Sequence, residues 1–213
     1  MIYEPDHYEM RRQMKNAKPD FKTVIITPTF RLSYPNVWAP KFNQLAKREQ
    51  YDIQMLFDKA TCKEALMPMV KLMNDLAIWK WGSKPQGFLN PFKDADTKRD
   101  GAGVLWTDKN PAFKGMIVLS SWSKMPPGIM DSTGKNPITQ HDEIYGGCYA
   151  RAQLNAYAYE QGQNRGVSFG LLHIQKIKDG DSFGNRTRPE DAFTPVDPGG
   201  STAEPTDTDS MFS

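Results

Sequence analysis

From Thr23 onward apolar and polar positions alternate: Val24, Ile26, Phe30, Leu32 and Tyr34 fall on one face, and Thr23, Thr27, Thr29, Arg31 and Ser33 on the other. A period of two predicts a half-buried strand, and Pro28 within it predicts an edge position or a bulge. Tyr51, Ile53, Met55 and Phe57 alternate with Asp52 and Gln54 and predict a second strand. Residues 116–122 predict a third. Residues 147–159 and 166–177, joined by a tight connection at 160–165, predict a long β-hairpin.

Between the second and third strands the period changes. Leu66, Met69, Val70, Met73, Leu76 and Ala77 recur at helical spacing, and Gly82 supplies a stop. Thr61-Cys62-Lys63-Glu64 has the form of a capping box, in which a hydroxyl and a carboxylate satisfy the first free amides. Pro68 predicts a bend or a later start, and the methionines read as core filler. Residues 83–115, rich in glycine and proline, predict a long loop with a short strand at 104–106, and Pro126, Pro127, Gly128, Gly134 and Pro137 predict another loop. Five strands with one helix inserted between the second and third predict a mainly β chain. The fold that fits is a five-stranded OB-fold-like barrel with one inserted α-helix and long loops.

Composition agrees with a folded core: 38% of residues are hydrophobic and 24% charged. No apolar run approaches the roughly 18 residues that a membrane span needs. The first residues lack the apolar stretch of a signal peptide, and Cys62 and Cys148 are too few for a disulfide framework, so a cytoplasmic protein is expected. Charge changes the picture more. The net +2 hides an asymmetry: residues 190–213 carry six acidic and no basic residues, −6, while residues 1–189 carry 27 basic against 19 acidic ones, +8. This divides the chain into a basic, poorly ordered arm at 1–20 (Arg11, Arg12, Lys15, Lys18), a domain at 21–189 and a disordered acidic tail at 190–213. A basic body with an acidic tail suits a polyanion binder with an interaction segment, and equally a solvated surface with a frayed terminus.

Candidate chemistry concentrates in the first arm of the hairpin. Along residues 147–159, Cys148, Ala150, Ala152, Leu154, Ala156 and Ala158 share a small apolar face, as a tightly curved barrel interior requires. The opposite face carries Tyr149, Arg151, Gln153, Asn155, Tyr157 and Tyr159. Aromatic rings stack on bases whatever the sequence, and guanidinium meets phosphate, so Tyr149, Tyr157 and Tyr159 are candidate platforms and Arg151 a phosphate contact. Tyrosines also simply suit strands. Arg31 and Lys176 extend the same groove, and Trp122 and Phe169 suit either the core or a base platform, the core first.

The segments that carry these residues, HDEIYGGCYARAQLNAYAY at 141–159, GVSFGLLHIQKIKDG at 166–180, RLSYPNVWAPK at 31–41 and YDIQMLFDK at 51–59, occur in the order found in a known family. They resemble the OB-fold single-stranded DNA-binding proteins of tailed phages, over residues 23–193 and most densely over 143–180. The resemblance implies a non-enzymatic OB barrel that coats single-stranded DNA without sequence preference during phage replication or recombination, in the cytoplasm of an infected bacterium. The tail is similar to those through which replication single-strand binders dock phage or host partner proteins, with Phe212, Asp207 and Asp209 the candidate contacts. Here Phe212 is penultimate and the acidic residues are diluted by Thr, Ser, Pro and Gly. An oligomer is compatible with all of this.

Other chemistry finds less support. Nothing in the sequence brings Cys148 and His141 together as nucleophile and base, and His141-Asp142-Glu143 lacks further ligands at useful spacing. No phosphate-binding glycine motif occurs, and no cofactor or metal is expected. Asp179, Asp181, Gly184 and Glu190 match four positions of a calcium loop, but Phe183 stands where an oxygen ligand belongs, so a turn after the last strand is expected. Asp94, Asp96 and Asp100 read as loop carboxylates. The alternative function is a protein-interaction module or virion component that turns the tyrosine face toward a protein partner.

Overall fold

The computed structural model describes residues 18–44 and 46–184. The basic arm up to residue 17 and the acidic tail from 190, with Asp207, Asp209 and Phe212, lie outside the described residues. Eight strands and two helices follow in order: β1 (Val24–Ile26), β2 (Phe30–Asn43), β3 (Arg48–Asp58), α1 (Lys63–Trp81), β4 (Phe92–Asp94), α2 (Trp106–Lys109), β5 (Met116–Ser123), β6 (Gly128–Met130), β7 (Tyr149–Gln161) and β8 (Asn164–Lys178). No described helix is long and apolar enough to cross a membrane.

The hairpin forms as its pattern predicts. β7 and β8 pair antiparallel from Tyr149↔Lys178 to Gln161↔Asn164, which leaves a two-residue turn whose Gly162 takes φ +59°. A positive φ costs glycine nothing and lets the turn match the strand twist. Five strands then close into a ring in the order β2-β3-β5-β8-β7 and back to β2, with β5 and β8 parallel and the other neighbours antiparallel. This is the OB-like arrangement expected from the sequence, but two of its seams are narrow. Only Phe30↔Ala150 and Arg31↔Tyr149 join β2 to β7, and only Trp122↔Gly170 joins β5 to β8.

Three short strands reinforce these seams: β1 is the first part of the strand predicted from Thr23, and β4 and β6 are absent from the sequence reading. β1 continues the β2 side of β7, pairing Val24–Ile26 with Asn155–Gln153. β4 takes the edge of β5 that β8 leaves free, and Leu89 bridges Gly166 ahead of it. β6 lies parallel to β8 at residues 173–175. The segment at 83–115 is therefore part of the wall, and its strand is Phe92–Asp94; residues 104–106, expected as a strand, instead lead into α2.

The core is shared between the ring and α1. Phe30, Leu32, Ile53, Met55, Phe57, Leu119, Leu154, Phe169 and Leu171 meet Leu66, Met69, Leu72, Met73 and Leu76 of the helix, so the methionines at 69 and 73 do fill the core. Cys148, Ala150, Ala152 and Ala156 are all within 2% of full burial, which confirms the small inner face of β7. Gly82 ends α1 with φ +77° and donates its N–H to the Ile78 carbonyl. The start differs from expectation. Cys62, not Thr61, is the N-cap, and no side chain caps the helix; the Asp58 carbonyl accepts from the Thr61 and Cys62 amides and its carboxylate from that of Ala60. The helix runs continuously through Pro68.

The predicted first strand is also corrected. Pro28 splits it in two, and Ile26 (54% exposed) and Tyr34 (57% exposed) leave the face that Phe30 and Leu32 bury. A register shift between Ser33 and Asn36 explains the second departure, since each extra residue turns the following side chain to the other face. Tyr34 takes φ +45° at that shift.

Candidate nucleic-acid interface

Alternation on β7, β8 and β5 sends one set of side chains out of the ring. On β7 these are Tyr149, Arg151, Gln153, Asn155, Tyr157 and Tyr159, and every one of them is at least partly exposed. Opposite the upper half of this row, β8 offers only Gly166, Ser168 and Gly170, the register partners of Tyr159, Tyr157 and Asn155. Gly166 is covered by Leu89 and the Tyr159 hydroxyl, whereas at Gly170 the outer surface is a shelf of backbone with Tyr157 lying against it: a Cβ on Gly170 would sit 3.5 Å from Tyr157 Cε1. Across the seam, Gly170 pairs with Trp122, whose neighbours Ser121 and Leu119 are buried, so the indole also faces outward.

Trp122 carries a cation. The Arg48 guanidinium lies 3.5 Å from the indole centroid, a geometry in which the ring's negative face attracts the charge. Arg48 Nε donates to Gln50 Oε1 at 3.2 Å, Gln50 Nε2 to Asp52 Oδ2 at 2.9 Å, and Asn36 Nδ2 to Asp52 Oδ1 at 2.6 Å. This polar ladder fixes one end of the outer face of β2 and β3 and holds Arg48 over the ring. Sequence reasoning missed Arg48. Its position two residues before Gln50 at the start of a strand carries no signal until β3 is paired with β5.

Below the shelf the outer face becomes a groove of about 380 Å³, lined by Arg151, Gln153, His173 and Gln175 and walled by Ile26, Met130 and Gly134. Arg151 Nε donates to Gln175 Oε1 at 2.6 Å, and Gln175 Nε2 in turn donates to the Ser132 carbonyl at 2.9 Å, which fixes the guanidinium on the floor. The Gly128 N–H donates to His173 Nδ1 at 3.2 Å.

The remaining candidates are placed differently. Tyr149 has two cations within 5 Å of its ring, Arg31 at 4.8 Å and Lys178 at 4.6 Å. Arg31 is a clasp: its Nε donates to the Gly147 carbonyl and its Nη2 to the Asp181 carbonyl, each at 2.6 Å, with the Phe183 ring 4.7 Å from its guanidinium carbon. It ties the chain beyond β8 back onto the ring. Tyr145 Oη donates to Asp179 Oδ1 at 2.9 Å, and the Phe183 N–H to the Gly146 carbonyl at 2.9 Å, so the described part of the calcium-like sequence is tied back to the residues before β7, and Glu190 lies outside the described residues. Lys176 pairs with Asp179 at 2.9 Å and is largely buried. Tyr159 packs near Gly166 under the Leu89 segment, and burial raises its hydroxyl pKa, with Tyr157 adding to the rise. Phe169 is fully buried against Phe92 and presents no ring to a ligand. Asp94 and Asp96 both pair with Lys59, and Asp100 with Lys109. Cys148 is fully buried, and burial raises its thiol pKa, which favours the inert protonated form.

Comparison with known proteins adds a family and a fold. The family described as "Enterobacter phage Enc34, ssDNA-binding protein" matches residues 23–207. The solved single-stranded DNA-binding protein from bacteriophage Enc34 is 21% identical over 80% of this chain and 89% of its own, with a TM-score of 0.61. The same protein solved in complex with ssDNA gives 20% identity over 76% and 90%, with a TM-score of 0.63. Gp2.5, a single-stranded DNA binding protein encoded by bacteriophage T7, gives 13% identity over 78% and 98%, with a TM-score of 0.50. At these identities the structures speak to the fold alone. No curated protein sequence matches the chain.

Proposed function

The chain belongs to the family of the Enterobacter phage Enc34 ssDNA-binding protein, and from that premise we propose that it coats single-stranded DNA, without sequence preference, during phage replication or recombination in the infected cell. The observation that carries the reading is the outward shelf at Gly170. Tyr157 and the Arg48-capped Trp122 flank a strip of small residues there, so a base can lie against the Tyr157 ring and another against the guanidinium that covers the indole. Stacking is indifferent to base identity, and strands two and three of an OB barrel, here β3 and β5, are the face on which that fold receives oligonucleotides. Arg48 over Trp122 and Arg151 in the groove would meet the phosphates.

Binding is the whole activity in this reading; no catalytic step is assigned. Tyr157, Arg151, Trp122 and Arg48 form its centre. Tyr149, Arg31 and Lys176 support it from the clasped end, because their charged or aromatic groups already serve one another. The tail, through Phe212, Asp207 and Asp209, would dock replication partners.

Fluorescence anisotropy of labelled oligo-dT, with duplex DNA and RNA as competitors at two salt concentrations, tests the reading. Tight binding that prefers the single strand and weakens steeply with salt is expected, since each neutralised phosphate releases counterions. Binding that ignores salt, or no binding at low salt, overturns it in favour of a protein-interaction module.

A further inference from the structure

Tyr34 is the one residue of β2 with a left-handed backbone, φ +45°, and it is followed by Pro35. An L side chain in that region is strained, and a following proline disfavours helical conformations of either kind at the residue before it. Strain of this sort persists only where the surroundings enforce it. Here they do: Asn36, fixed by its 2.6 Å bond to Asp52, also reaches the Tyr34 carbonyl at 3.4 Å, and the register shift between Ser33 and Asn36 leaves Tyr34 outside the ladder. Glycine would meet the same backbone requirement without strain. The chain instead places a tyrosine there and leaves it 57% exposed.

Among the described residues the one ring beside Tyr34 is Phe113, 6.3 Å away at 46°, and Phe113 is itself buried with Leu56, Ala95 and Val118 and braced edge-on by Trp106. That cluster covers the outer face of β3 and β5 at one end, where Leu56 pairs with Val118. The other end of the same face holds Trp122, paired with Asp52 and topped by Arg48. Between them the outward pair is Gln54 and Ser120, with Ser33 beside Gln54 on β2. The Gln54 Oε1 oxygen is buried there without a hydrogen-bond partner, which leaves Ser120 as the accessible polar group of the pair.

We propose that Tyr34 is a second base-stacking platform, held outward by its strained backbone and braced by Phe113, so that a single strand lying on Trp122 continues across β3 and β5 to this ring. The proposal rests on the single-stranded DNA reading above and extends its track to the opposite end of the outer face. The stretch between the platforms is polar, which suits a sugar–phosphate backbone, and the exposed Ser120 hydroxyl can donate to a phosphate there.

Tyr34→Gly separates the platform from any structural role. It removes the ring and the backbone strain together, so thermal stability should hold or rise while affinity for oligo-dT falls by about fivefold or more, the low end for loss of one stacked base. Tyr34→Trp should restore binding. The slope of affinity against salt should match the wild type, because no phosphate contact is lost. Wild-type affinity in Tyr34→Gly overturns the proposal, and so does a loss of affinity that comes with a lowered melting temperature. Failure of the wild-type protein to bind oligo-dT would instead overturn the underlying reading.

Discussion

Among single residues the shelf depends most on Tyr157. Its ring lies against Gly170, where a larger residue would fill the space a base needs, and its hairpin partner is Ser168. Tyr157→Ala should weaken single-stranded DNA binding by about 1–3 kcal/mol with the fold intact, read by anisotropy beside a circular dichroism melt. An unchanged affinity in the folded variant would remove Tyr157 from the interface. That tyrosines share the outer face with Arg151 was legible from alternation alone. Which of them is available was not. Tyr149 is held by Arg31 and Lys178, and Tyr159 is packed beneath a loop 70 residues earlier in the chain, contacts that only the folded chain creates.

At the level of elements, β-strands were readable wherever one face is buried and the other wet, as in β3, β5, β7 and β8. They were not readable where three residues suffice. β4 and β6 pair along open edges of β5 and β8, and three residues carry too little pattern to announce a strand, whereas β1 was readable only as part of a longer strand that Pro28 divides. The capping box failed because the N-cap fell one residue later, on Cys62, which has no hydroxyl to accept from the first free amides. The loop at 131–136 that walls the groove is organised by one carboxylate. Hydrogen bonds from Thr133 Oγ1 and then Asn136 hold the Asp131 pKa down at about 2. A pKa depressed in the folded state adds stability above the ordinary carboxylate range and loses it as pH falls toward 2. NMR titration of the Asp131 carboxyl should give a midpoint near 2, with the Thr133 and Asn136 resonances moving alongside. A midpoint at the ordinary value would mean that the loop is not held this way in solution.

For the whole molecule the governing feature is the division of charge, +8 before residue 190 and −6 after it. We propose that the acidic segment competes with DNA for the basic body, a competition that would be strongest where salt screens least. Deleting residues 190–213 should therefore leave the melting transition in place and tighten oligo-dT binding at low salt, with the difference shrinking as salt rises. Weaker binding after deletion would point to direct help from the tail.

The ring's narrowest seam, the single pair Trp122↔Gly170, lies directly beneath the shelf. A strand of DNA resting on Trp122 and Tyr157 therefore straddles the line along which the ring has least ladder of its own. Occupancy and closure become reciprocal: whatever the ligand gains from a closed seam, the seam gains from the ligand. If DNA binds across this seam as proposed, the fold is a receptor whose cohesion is partly lent by what it carries, and an empty protein should be looser along that line than a loaded one.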